Sequence, residues 1–387
     1  MNPLFVATVP TAPYEPPPVW RVLTEAGYFA GLCALLGGLA TVLLAVLPAQ
    51  RADAAGMPGA GRSAFRIFPA IGAAMIVLLY IQQAALAARS GEFAFSHGLR
   101  PDVIGEFLTA PKESGEWIGK STLRLIQVLL LVAAAVLAMF AGRRCSRRLA
   151  TGALAVGVVG EVIVSTPTAF AGLTVDDWLK PIFTQIHILG ALVWLGGLGV
   201  LAVLSWRARP AASGEVWSRV WSRFSALAMT AAGGILISGL WMSWQHVGAF
   251  GEFVTTSYGR FLLAKIVLVG VMLAAGGYNQ TVLLPRIARA VRDGDETTVR
   301  HAVLTHFPKV AAFEALLGLA VLLIVPFLSG SARTESGSGD AAPFDARLLL
   351  IGILLIASMV ASFWITSRVA RAQANRPLLT PLAGPTE

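Results

Sequence analysis

"TQIHILGALVWLGGLGVLAVL", Thr184–Leu204, decides the class of this chain. It is apolar almost throughout and long enough, as a helix, to cross a hydrocarbon core about 30 Å thick. His187 stands early in it. An ionisable side chain at membrane depth is costly, which makes this histidine a candidate functional residue by default.

The rest of the sequence repeats the pattern. Of 387 residues, 56% are hydrophobic and 13% charged, with a mean hydropathy of +0.71, far from a soluble composition. About nine segments read as spans: 20–48, 67–88, 120–141, 149–170, 181–204, 219–245, 260–284, 309–330 and 346–367. The expected fold is an all-α polytopic membrane protein.

The net charge of +9 would suit nucleic acid, but its placement argues for topology instead. "GRRCSRRLA" (142–150) between spans 3 and 4 carries Arg143, Arg144, Arg147 and Arg148, and Arg286, Arg289, Arg292 and Arg300 lie between spans 7 and 8. Arg51, Arg62 and Arg66 follow span 1, Arg207 and Arg209 follow span 5, and Arg368 and Arg371 follow span 9. Alternate joints are therefore basic, while those between are mixed or acidic, as in "TVDDWLK" (174–180). By the positive-inside rule the N-terminus is expected outside and the C-terminus in the cytoplasm, with some attraction to anionic membrane lipids. Residues 1–19 read as a proline-rich extracytoplasmic tail without a basic signal region. Cys33 inside a span and Cys145 in a loop make neither a disulfide nor a CxxC metal motif.

The chain also resembles itself. "TEAGYFAGLCALLGGLATVLL" from Thr24 aligns with the segment from Thr184, both reaching Leu-Gly-Gly-Leu. Gly91-Glu92-Phe93 matches Gly251-Glu252-Phe253, and "GKSTLRLIQVLLLV" from Gly119 matches "GRFLLAKIVLVGVM" from Gly259. A parallel four-plus-four repeat follows: residues 20–180 with an outer loop at 89–119, residues 181–330, then a ninth helix and tail over 331–387. The paired glycines suggest the same close helix contact made twice around the pseudo-axis. Gly27 stands where His187 stands in the second copy, so the histidine's role belongs to that copy alone.

On this topology His187, Met242 and His246 lie toward the outer face, the last two four apart on one helix face. Imidazole and thioether together suit copper, Cu(I) above all. His97 is on the same side in a loop, and His301 and His306 read as a solvated inner face. Glu25 and Gln185, with Gln82 and Gln83, are expected to line an outer vestibule. Lys265 is six residues into span 7. Glu161 falls near the middle of span 4, as a structural pair or part of a cation path. Glu314 and Asn279 share a depth, either as a hydrogen-bonded structural pair or as part of a cation path.

In combination, His187 with Trp194-Leu195-Gly196-Gly197, Arg223-Phe224-Ser225, "TTSYGRFLLAKIVL" (255–268), Asn279 and "AAFEALLGLAVL" (311–322) resemble the copper resistance protein D (CopD) family over about 181–330. The resemblance implies copper handling at the inner membrane, with a separate periplasmic copper-binding protein as partner and His187 as the best ligand candidate. A copper permease without enzyme activity is the expectation, since no phosphate loop or phosphorylation motif is present. The alternative is a b-type haem protein or oxidase-assembly factor, with His187 and His246 on one iron.

Overall fold

A computed structural model describes residues 14–51, 64–170, 172–207 and 214–339, and isolated positions between 350 and 368. The ninth predicted span, 346–367, lies largely outside the described residues. Eight long helices run in order: α1 Val19–Gln50, α2 Phe68–Ser90, α3 Lys120–Arg144, α4 Arg147–Ile163, α5 Val175–Arg207, α6 Gly214–His246, α7 Ser257–Ala290 and α8 Phe307–Ile324. Seven of them, all but α4, are long and apolar enough to cross a membrane. No strand occurs among the described residues, as expected where lipid offers backbone groups no partner.

Helix α4 has 17 residues, fewer than the predicted span 149–170. It stops where Pro167 approaches, because a proline disfavours helical geometry in the residue before it. It nevertheless recrosses the bundle. Trp117 before α3 donates from its backbone N–H to Thr168 O at 3.0 Å and from Nε1 to Pro167 O at 2.9 Å, tying the exit of α4 to the start of α3. At the other end the two helices meet in a tight turn. Cys145 adopts φ 50°, and the Ser146 hydroxyl accepts Leu149 N–H at 3.4 Å to start α4. This turn, with its four arginines, marks the basic end of the bundle; the ends of α1 and α5 and the starts of α2 and α6 lie there too.

Helices α1 and α5 form the central pair. α1 also contacts α2, α4, α6 and α8, and α5 contacts α6 and α8. Their crossing is glycine on glycine. A Cβ on Gly196 would stand 1.9 Å from Cys33 O and 2.9 Å from Gly37 Cα, and one on Gly37 would stand 1.8 Å from Leu192 O. The two Leu-Gly-Gly-Leu segments therefore press on each other in one mutual contact, and not in two separate ones. α1 widens into π-helical turns at Cys33–Gly37 and Val42–Val46, the first of which is the segment that α5 crosses.

Beyond α8, a short helix Ala332–Ser336 folds back over the joint between α6 and α7. Glu335 accepts the N–H groups of Ser257 at 2.7 Å and Tyr258 at 3.0 Å, capping α7, with Thr256 Oγ1 accepting Gly259 N–H at 3.0 Å. Buried Glu252 accepts Gly248 N–H at 2.7 Å and the hydroxyls of Ser336 at 2.9 Å and Ser338 at 2.7 Å. Burial raises the pKa of this carboxyl, but those hydrogen bonds outweigh it and hold the group below the usual carboxylate range.

Candidate functional site

His187 projects from α5 onto α6. Its Nδ1 lies 3.1 Å from Ser238 Oγ, and the ring packs on Gly239, where a Cβ would come within 3.4 Å of Cε1. The Ser238 hydroxyl gives its one proton to carbonyl oxygen, Gly234 O at 2.6 Å. Its oxygen is then left to accept, so His187 Nδ1 carries the hydrogen and Nε2 a lone pair. The Lys265 ammonium on α7 is close enough to act on the same ring.

His246, at the end of α6, shows the same polarity. Nδ1 donates to Met242 O at 2.7 Å, since a carbonyl can only accept, and the ring stacks on Tyr258 with centroids 5.7 Å apart. Met242 and His246 line one cavity of about 440 Å³ with Lys180, Thr184, Trp241, Gln245 and Ser331. His187 is not in its lining. Ser238, the contact of His187, lies one turn of α6 before Met242 and two turns before His246, roughly 6 Å and 12 Å along the axis. The structure thus brings Met242 and His246 together and sets His187 a turn deeper. Among the described residues no three His, Cys, Asp or Glu side chains form a metal cage.

The other predicted positions divide. Glu25 pairs with Arg21 at 3.7 Å, Gln185 donates to Ser165 Oγ at 2.6 Å and Glu161 O at 3.3 Å, and Gln82 and Gln83 are buried. Glu161 is buried in the last turn of α4, which ends at Ile163. Tyr28 donates to its carboxylate at 3.5 Å, and Gln127 and Arg124 stand beside it. His97 is exposed, edge-on to Phe93, and His301 and His306 are exposed.

Asn279 Nδ2 does donate to Glu314 Oε1, at 3.3 Å. The pair belongs to something larger: a pocket of about 240 Å³ lined also by Trp194, Phe224, Ser225, Met229 and Gln280. Ser225 donates to Gln280 Oε1, and Asn279 Oδ1 is buried without a partner. α7 forms a π-helical turn from Asn279 to Leu283 here. Along α6 this pocket lies toward the basic end from Ser238. Sequence reading paired Asn279 with Glu314 but missed Ser225 and Gln280; the signal was that Ser225, Gln280 and Glu314 fall at matching depths on three successive spans.

Residues 218–328 match the family model described as Copper resistance protein D. Trp194 on α5 precedes the matched stretch, while Ser225, Asn279 and Glu314 fall within it. The CopD match also takes in Ser238, Met242 and His246, and leaves His187 outside. The Copper transport protein CutJ of Bacillus subtilis (strain 168) is 28% identical over 213 residues, which cover 54% of this chain and 37% of that protein. The chain thus matches little more than a third of that relative's length. No solved structure gives a significant match. The protein is a multi-pass, all-α membrane protein whose residues 218–328 are similar to the CopD family.

Proposed function

We propose that the protein is a copper permease of a bacterial inner membrane, taking up Cu(I) from the outer side. The observation that carries this reading is the shared polarity of the two histidines. Each spends Nδ1–H on a fixed protein acceptor and so presents Nε2, the arrangement that orients an imidazole for a metal. Met242 adds a thioether, which favours Cu(I). The CopD match and a relative named as a copper transport protein support the choice of metal.

The route runs along α6. Copper enters at Met242 and His246, passes to His187 a turn deeper, and reaches the pocket of Met229, Asn279 and Glu314, leaving Glu161 as a structural group of the first half. Lys265 opposes a cation at His187, which keeps residence there short, as conduction requires. The N-terminus is outside, a separate periplasmic copper-binding protein delivers the metal, and no bond-breaking chemistry is assigned. The two halves, 20–180 and 181–330, are read as a duplication whose axis passes the Gly37–Gly196 crossing.

Copper stoichiometry of the detergent-purified protein under reducing conditions tests the site. Wild type is expected to hold copper that is lost in His187→Ala and weakened in Met242→Leu, with no Soret band in the visible spectrum. Equal copper in wild type and His187→Ala, with unchanged cellular copper accumulation, refutes the reading.

A further inference from the structure

At the basic end a third cavity, of about 670 Å³, opens along α1, α2, α5 and α8. Its walls are apolar, with Ala34, Leu195, Gly199 and Leu319 among them, and its end is closed by Arg66 before α2 and Arg207 at the end of α5. Neither arginine has a hydrogen-bond or ion-pair partner among the described residues. A Cβ on Gly199 would meet nothing within 4 Å, so this wall is open. From Leu195 to Arg207 the groove runs roughly 18 Å along α5, comparable with one leaflet of a core about 30 Å thick.

We propose that this groove binds an anionic phospholipid, its phosphate between the Arg66 and Arg207 guanidinium groups and one acyl chain along the apolar wall. Two cations without a partner among the described residues, at the end of a slot one leaflet deep, call for a ligand that is anionic at one end and hydrocarbon beyond. The guanidinium fork matches phosphate oxygens in pairs. Basic pockets between helices at a membrane surface recruit such headgroups. The inference is independent of copper.

The test is thermal melting and native mass spectrometry of the full chain in dodecyl maltoside with phosphatidylglycerol, phosphatidylcholine or inorganic phosphate. Phosphatidylglycerol is expected to raise the melting temperature and stay bound; the other two are not. In R66Q/R207Q the apparent affinity for phosphatidylglycerol is expected to fall roughly tenfold or more, with melting in phosphatidylcholine unchanged. Gly199→Trp, which fills the groove and keeps both arginines, is expected to lose lipid retention and guards against a double variant that does not fold. Equal effects of the two lipids, a preference surviving in R66Q/R207Q, or stabilisation by phosphate alone overturns the proposal. So does a photoreactive residue at position 70 that cross-links to residues 346–367 instead of lipid.

Discussion

Replacing Ser238 with alanine removes the acceptor of His187 Nδ1–H and leaves the helix intact, since alanine is the best helix former. The contact to Oγ is 3.1 Å, and Ser238 is fully buried, which leaves little room for a water in its place. An unpaired donor in such a place costs about 1–3 kcal/mol. The ring can relieve this by turning or by moving its proton to Nε2, and either change spoils the ligand nitrogen. Loss of a partner of this kind typically lowers metal affinity about 10–100-fold, or about 1.4–2.7 kcal/mol. Competition of the purified variants against a chromophoric Cu(I) chelator measures it. The decisive comparison is a double-mutant cycle: Ser238→Ala is expected to weaken copper binding in the wild-type background and to do nothing further in His187→Ala. An unchanged affinity in Ser238→Ala where His187→Ala lowers it, or the same loss in both backgrounds, refutes the argument.

Two further outcomes test the frame around the site. Gly196→Ala places a Cβ 1.9 Å from Cys33 O and is expected to cost at least the usual 1–3 kcal/mol of overpacking, read as a lower melting temperature by tryptophan fluorescence, whereas Gly199→Ala should be neutral. Because Glu252 titrates below the usual range in the folded protein, its contribution is present above the unfolded carboxylate value of about 4.3 and is lost as pH falls through the lower folded value. Glu252→Gln should therefore melt lower than wild type at pH 7, and the gap should close on acidification; a gap independent of pH would show that the carboxylate's charge is irrelevant there.

Hydropathy located the helices because a span must be apolar along its whole length, and it placed the Asn279–Glu314 pair because depth is readable from span ends. It failed where contacts decide. The end of α4 depends on Pro167 and on Trp117 hydrogen bonds from another segment. Ser238 is silent in sequence, since a serine within a helix normally bonds its own backbone, as this one also does. The separation of His187 from Met242 and His246 escaped because counting residues from uncertain span ends blurs depth by more than a turn. The glycine pairs were legible as close-approach positions, but only packing reveals that each is the other's partner.

The helix cap supplied by Glu335 bears on where this domain ends. The CopD match stops at residue 328, yet α7 begins under hydrogen bonds from Glu335, and Arg333 reaches Trp244 O on α6 at 3.2 Å. A fragment excised at the family boundary would keep every membrane-crossing helix of the match and lose the clasp that seats two of them, with Tyr258 carrying the disturbance to the stacked ring of His246. For this protein the unit that inherits as a domain and the unit that stands as one differ by about a dozen residues, and those residues sit at the mouth.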